Sequence, residues 1–325
     1  MIKKNKIKRI LCFVLALSLL LLVSCSGEGE KSDKSDRIKI ICTIYPQYDW
    51  VKNIVGDSEG VEVSLLVEGG VDVHSYQPSV EDVVDIKTSD AVILVGGESD
   101  AWVFEAIEDS QSEAITLMEI DDMILRGVSD ECIASDHDHD HDHGHYHDNV
   151  LDEHIWLSLA NAKVACKTIC GWLCARDGER AELYKANTDK YILKLEALEE
   201  RFESLSVGLH NPVIFADRFP FVYMLEDYGI SYFAAFEGCS ADTEADFETV
   251  KRLADKISEY ESKYVAVCET SDKKLAKSVM DAAGAECGIV VFDSLQSVTK
   301  AQIEDGYSYI DAMRENFNSL AKIIK

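Results

Sequence analysis

Basic residues are scarce in this 325-residue chain. Thirty-two Lys and Arg stand against 60 Asp and Glu, a formal net charge of −28. A nucleic-acid binder needs a basic face to neutralise phosphates, so that class is excluded. Partners of so acidic a protein are cationic or neutral. The apolar run Leu11–Val23 falls short of the ~20 residues that a membrane span requires. Ten Cys are present, yet no C-x-x-C pair occurs, which argues against a thiolate zinc site. There is no H-E-x-x-H helix, no Gly-x-Ser-x-Gly elbow and no Walker-type phosphate loop. Zinc-hydrolase, serine-hydrolase and nucleotide-hydrolase readings thereby lose their usual support.

Hydrophobic residues make up 47% of the chain, enough for packed cores, and the length suggests two domains at roughly 150 residues each. The start reads as an address label. Lys3, Lys4, Lys6, Lys8 and Arg9 precede the apolar run, as in a secretory signal. The run ends in Leu22-Val23-Ser24-Cys25, which resembles a bacterial lipobox. Residues 1–24 are therefore expected to be a lipoprotein signal, Cys25 the lipidation site, and residues 25–36 a flexible tether. Acyl chains on Cys25 would hold the protein at the bilayer on the extracytoplasmic face. Cys166, Cys170 and Cys174 recur every four residues on one helix face, and Cys42, Cys268 and Cys287 lie in or beside strand-like runs. Small buried thiols, not a disulfide framework, are expected.

From Arg37 strands and helices alternate. Ile38–Ile44, Val61–Val67, Ala91–Val95 and Ala114–Leu117 are β-branched or continuous apolar runs of the kind buried in parallel sheets. Ser79 and Asp82 form a capping-box pattern for a helix ending near Lys87. Val213–Ala216, Ile230–Phe233, Tyr264–Cys268 and Ile289–Phe292 repeat the rhythm, interleaved with helices at Phe221–Asp227, Thr243–Glu259, Lys273–Ala283 and Gln302–Ile324. Between the halves, Gly178–Leu205 reads as one long helix, with Leu183, Ala186, Leu195, Leu198, Phe202 and Leu205 on its apolar side. Such a helix would be close to 40 Å long at ~1.5 Å per residue. The fold class is α/β: two lobes, each with a mainly parallel sheet flanked by helices, joined by one long backbone helix. The expected division is residues 37–177, 178–209 and 210–325.

Residues 136–148 read Asp-His-Asp-His-Asp-His-Asp-His-Gly-His-Tyr-His-Asp. His137, His139, His141, His143, His145 and His147 are six of the nine His in the chain. This segment cannot pack a core and suits capture of Zn²⁺, Ni²⁺ or Cu²⁺. His74, His154 and His210 remain. His74 sits in Gly69-Gly70-Val71-Asp72-Val73-His74-Ser75-Tyr76-Gln77-Pro78, between a strand and a helix. His154 sits in Asp152-Glu153-His154-Ile155-Trp156-Leu157. Loops after parallel strands are where open α/β sheets bind ligands. Tyr45, Trp50, Trp102, Trp156 and Trp172 are expected to pack in cores.

Together these segments resemble the zinc/manganese-binding solute receptors of ABC transporters. His74 matches a Gly-x-Asp-Pro-His-x-Tyr-x-Pro type motif, with Val73 in the Pro place. His154 matches Asp-Pro-His-x-Trp-Leu, with Glu153 in the Pro place. Zinc-specific members often insert a His/Asp-rich loop between the two. The resemblance implies a carrier, not an enzyme, whose partners are a membrane ABC permease and its ATPase, working as a monomer. It also implies ligands in the second lobe. Phe292-Asp293-Ser294-Leu295 points to Asp293. A His-x-Ala-Phe-x-Tyr type motif corresponds to Phe215-Ala216-Asp217-Arg218-Phe219-Pro220-Phe221-Val222-Tyr223, which has no His. Asp217 is the substitute ligand and Arg218 aligns equally well, while Glu269 at another strand end is an alternative or supporting ligand. Two imidazoles and two carboxylates suit tetrahedral Zn²⁺; Mn²⁺ tolerates the same donors. The His-rich loop favours zinc. A surface adhesin or a passive metal buffer is the other class of function open to such a chain.

Overall fold

The computed structural model describes residues 37–67, 69–71, 73–127, 151–207, 211–236 and 245–324. The leader, the tether with Cys25, the six loop His from His137 to His147, and His210 lie outside the described residues. Among the described residues no helix is long and apolar enough to cross a membrane.

From Ile38 onward the chain is one compact unit built on two four-stranded sheets. The first holds β1 (Ile38–Cys42), β2 (Val61–Leu65), β3 (Ala91–Leu94) and β4 (Glu113–Thr116), in the order β2-β1-β3-β4. The second holds β5 (Val213–Phe215), β6 (Tyr232–Ala234), β7 (Tyr264–Cys268) and β8 (Gly288–Phe292), in the order β6-β5-β7-β8. Every pairing is parallel, so each connection must cross over and helices cover both faces. The central strand β3 shows the consequence: all four of its residues are buried. Its side chains alternate, with Ala91 and Ile93 in the main core and Val92 and Leu94 in a separate cluster on the other face.

The helices are α1 (Tyr45–Val55), α2 (Val80–Thr88), α3 (Trp102–Ile107), α4 (Leu159–Arg176), α5 (Ala181–Glu203), α6 (Val222–Glu226), α7 (Phe247–Glu259), α8 (Lys274–Ala283), α9 (Lys300–Glu304) and α10 (Tyr309–Ile324). The capping box opens α2 as its sequence indicates: Ser79 Oγ accepts from the Asp82 amide, and Asp82 accepts from the Ser79 amide.

Two expectations need correction. The long helix is α5, 23 residues and about 34 Å, and the stripe on its first half differs from the one expected. Leu183 and Ala186 face solvent, while Tyr184, Thr188 and Tyr191 are buried. The two tyrosines bury their rings because their hydroxyls find acceptors, Tyr184 on Asp177 at 2.6 Å and Tyr191 on Asp49 at 2.8 Å. The C-terminal region is two helices, not one. Gly306, at φ +86°, turns the chain between α9 and α10.

One apolar core joins the two halves. It runs from Ile40, Trp50 and Ile93 through Leu195 and Phe202 of α5 to Phe215, Phe292 and Leu320. Trp50 meets Tyr309 edge-on at 5.4 Å. Hydroxyls fasten the same seam: Tyr309 donates to the Trp156 carbonyl at 2.7 Å and Tyr223 to that of Asp152 at 2.8 Å. Arg126 pairs with Glu226 at 2.9 Å and Asp227 at 2.6 Å. Opening the halves would expose this shared core, so large hinge motion is opposed by the hydrophobic effect.

Candidate metal centre

Both His of interest lie on loops beyond the carboxyl ends of the first sheet. After β2 the chain passes Gly69 and Gly70, both at positive φ, into a one-turn 3-10 helix Val73–Ser75 that carries His74 at the surface. His154 caps a second 3-10 turn, Ile155–Leu157, and is 2% exposed. The loop after β3 completes the arrangement. Buried Asp100 there accepts from the Val95 and Gly96 amides at 2.6 and 3.0 Å. Gly96, at φ +93°, sits against Thr116, and Gly97 sits against the Glu153 carboxylate; a Cβ at either position would collide. Glu153 in turn accepts the amides of Glu98 and Ser99. This ties the Ser99 loop to the residue beside His154.

The two imidazoles meet. His74 Nε2 lies 3.3 Å from His154 Nε2, with ring centroids 5.3 Å apart. The opposite nitrogens are engaged. His154 Nδ1 donates to Asp152 Oδ1 at 2.9 Å, and the same oxygen accepts the His154 amide at 2.8 Å. A carboxylate only accepts, so Nδ1 carries the proton, and when the ring is neutral its lone pair lies at Nε2. His74 Nδ1 lies 2.5 Å from Ser99 Oγ. A serine hydroxyl donates or accepts. When it donates, His74 Nε2–H bonds across to His154. When it accepts, both Nε2 lone pairs face one point. Two zinc–nitrogen bonds of 2.0–2.1 Å at a tetrahedral angle separate their nitrogens by about 3.3–3.4 Å. The observed separation fits a shared cation.

The carboxylates stand on the equivalent loops of the second sheet: Asp217 after β5, Glu269 after β7, Asp293 after β8. Asp293 accepts from the Leu295 amide at 2.8 Å and the Tyr307 hydroxyl at 2.6 Å. Glu269 accepts the Ser294 amide at 3.0 Å and its hydroxyl at 2.6 Å. Burial raises the affinity of both acids for protons. Glu269 is pushed up to about 6, by burial first and then by the charge of Asp293. Two such acids side by side favour a nearby cation. Asp217 accepts from the Arg218 amide at 2.9 Å and the Cys268 amide at 3.3 Å, and Arg218 Nη2 donates to Thr270 Oγ1 at 2.8 Å. Both residues are therefore bound to the end of β7.

The structure thus brings His74 to His154, and Glu269 to Asp293. Among the described residues no group of three or more His, Cys, Asp or Glu converges as a metal-ligand set. The two loop clusters are nonetheless fastened together: buried Trp156 Nε1 donates to the Ser294 carbonyl at 2.9 Å, and Gly70 packs against Thr299. Sequence reasoning missed Ser99, Asp152, Ser294 and Tyr307. Only Asp152 carried a local signal, an acid two residues before the His.

The family described as ZnuA, zinc-uptake complex component A, periplasmic, matches residues 40–323. The high-affinity zinc uptake system protein ZnuA of Bacillus subtilis (strain 168) is 27% identical over 312 residues, 95% of each chain. The zinc-binding lipoprotein AdcA of Streptococcus pneumoniae serotype 4 is 28% identical over 316 residues, 96% of this chain but 60% of its own length. The chain spans little more than half the length of the AdcA proteins it matches. The crystal structure of the Zn(II)-bound ZnuA-like domain of Streptococcus pneumoniae AdcA superposes with a TM-score of 0.70 at 23% identity, covering 89% of this chain and 99% of that one. With the family match extending over nearly all of the described fold and both loop clusters, the chain belongs to the ZnuA family of zinc-uptake solute-binding components.

Proposed function

We propose that this protein is a receptor that captures Zn²⁺ outside the cell membrane, anchored by lipid on Cys25, and delivers it to an ABC permease driven by its ATPase. The ion is held by His74 and His154 from the first sheet and by Asp293 from the second, with Asp217 as the fourth donor and Glu269 close by. The observation that carries this reading is the imidazole pair, 3.3 Å apart at Nε2 with each Nδ1 engaged by Ser99 or Asp152. The carboxylate pair supplies compensating charge. Two imidazoles favour zinc over manganese, whose preferred donors are carboxylate, carbonyl and water. The His-rich loop collects zinc at high local concentration and passes it to the cleft.

Loading requires the arrangement in which Ser99 Oγ accepts from His74 Nδ1, so that the Nε2 lone pairs of His74 and His154 both face the ion. No group here need attack or activate a substrate, as befits a carrier. The test is competitive zinc titration of a variant lacking residues 136–148, followed by single substitutions in that background. His74→Ala and His154→Ala should each weaken tight zinc binding by more than ~100-fold, since loss of a mere supporting partner costs 10–100-fold. Asp293→Ala should do likewise, and Asp217→Ala set against Arg218→Ala identifies the remaining donor. Unchanged tight binding in the His74 and Asp293 variants ends the proposal; loss of nearly all capacity with the loop favours a passive buffer.

A further inference from the structure

Each candidate carboxylate of the second sheet is bonded at both of its oxygens. Asp293 Oδ1 accepts the Leu295 amide at 2.8 Å, and Oδ2 accepts the Tyr307 hydroxyl at 2.6 Å. Glu269 receives the Ser294 amide on Oε2 and the Ser294 hydroxyl on Oε1. Asp217 receives the Arg218 amide on Oδ1 and the Cys268 amide on Oδ2. Of these donors only Tyr307 is itself fixed by the first half of the molecule. It follows the turn at Gly306, and its ring meets that of Tyr45 edge-on at 5.1 Å. Tyr45, 3% exposed, donates its hydroxyl to the Tyr307 carbonyl at 2.5 Å. Burial, and then the charge of Asp293, make the phenol hold its proton more tightly than usual, so Tyr307 donates and the carboxylate accepts.

This pattern governs how Asp293 can meet an ion. A carboxylate has about four lone-pair sites, two on each oxygen. An ion bound through one oxygen needs one of them, whereas a chelated ion needs a site on both. The O–H···O⁻ bond on Oδ2 is charge-assisted, about twice as strong as a neutral one. It draws on the electron density that chelation would use, and Oδ1 carries only the longer amide bond. Asp293 therefore offers one good oxygen. Zinc is satisfied with four donors, while manganese favours an octahedral shell rich in oxygen and gains from each additional carboxylate oxygen.

We infer that Tyr307 is a specificity-determining residue: by bonding Asp293 Oδ2 it holds that carboxylate to a single oxygen toward the ion, and so favours four-coordinate Zn²⁺ over Mn²⁺. This rests on the reading of Asp293 as a ligand. Tyr307 acts through Asp293, as a positioning residue.

The experiment uses the full chain with the six loop His, His137 to His147, replaced by Asn, so that loop imidazoles do not compete. Zinc and manganese affinities are measured by chelator competition on this parent and on Tyr307→Phe, which keeps the ring that meets Tyr45. The ratio of zinc to manganese affinity should fall at least ~10-fold in the variant, the size of effect a hydrogen bond to a charged group exerts. Cobalt(II) supplies a second readout, because four-coordinate cobalt absorbs visible light far more strongly than six-coordinate cobalt. The parent should show the intense spectrum and Tyr307→Phe a weaker one. A merely structural contact would weaken both ions alike and leave the cobalt spectrum unchanged; that result overturns the inference. Asp293→Ala in the same parent separates the two claims. If it leaves zinc binding unchanged, Asp293 is not a ligand and the inference falls with that reading. If it weakens zinc while Tyr307→Phe matches the parent in ratio and spectrum, the site stands and the role of Tyr307 alone is refuted.

Discussion

Replacing Asp152 by Asn isolates the device that aims His154. Asp152 is 4% exposed, and its Oδ1 receives both the His154 amide and the His154 Nδ1 proton, at 2.8 and 2.9 Å. The substitution keeps size and shape but removes the charge, and charge-assisted hydrogen bonds are about twice as strong as neutral ones. It also introduces an NH₂ group. If that group turns toward Nδ1, the proton is forced to Nε2, facing His74, and the lone pair that would take the ion is gone. Losses of such an outer partner cost about 10–100-fold in metal affinity, or about 1.4–2.7 kcal/mol. The assay is competitive zinc titration on the variant lacking residues 136–148, with far-ultraviolet circular dichroism to check the fold. A folded Asp152→Asn protein with zinc affinity within twofold of its parent would refute the tautomer argument.

Two further outcomes follow from the same geometry. Trp156→Phe removes the bond from Nε1 to the Ser294 carbonyl and leaves a buried acceptor without that donor; urea unfolding should show a loss of about 1–3 kcal/mol, and a loss within error contradicts the seam. Glu269 in the metal-free protein titrates near 6 instead of 4.5 because burial, and then Asp293, disfavour its charge. The folded state thus holds the proton more tightly than the unfolded chain. The stability this contributes is complete below about pH 4.5 and falls by about 2 kcal/mol as pH rises through 6. Glu269→Gln lacks this titration, so the wild-type-minus-variant difference in unfolding free energy should fall by that amount between pH 4.5 and 7.5; a flat difference contradicts it.

Much of the fold was legible because parallel strands must be apolar on both faces. Ala91–Leu94 and Tyr264–Cys268 announce themselves for that reason, and Ser79 with Asp82 marks a helix start by its own local hydrogen bonds. Periodicity failed where polar groups took core positions. Tyr184 and Tyr191 displaced Leu183 and Ala186 because Asp177, seven residues before Tyr184, and Asp49, 142 residues before Tyr191, accept their hydroxyls. The same limit applies at the candidate site. The residues His74 and His154 stood out by type and context, but Ser99 is 25 positions from the ring it engages and Tyr307 is 14 from Asp293. Nothing local to a serine on a loop says which imidazole it will orient.

The central claim is that two imidazoles from one sheet and carboxylates from the other share one cation. Zinc X-ray absorption on the variant lacking residues 136–148, loaded with one equivalent, tests it most directly. Two imidazole nitrogens at about 2.0–2.1 Å, completed by oxygen donors, are expected. A zinc ion bound by sulfur at about 2.3 Å, or by fewer than two imidazoles, would contradict the account.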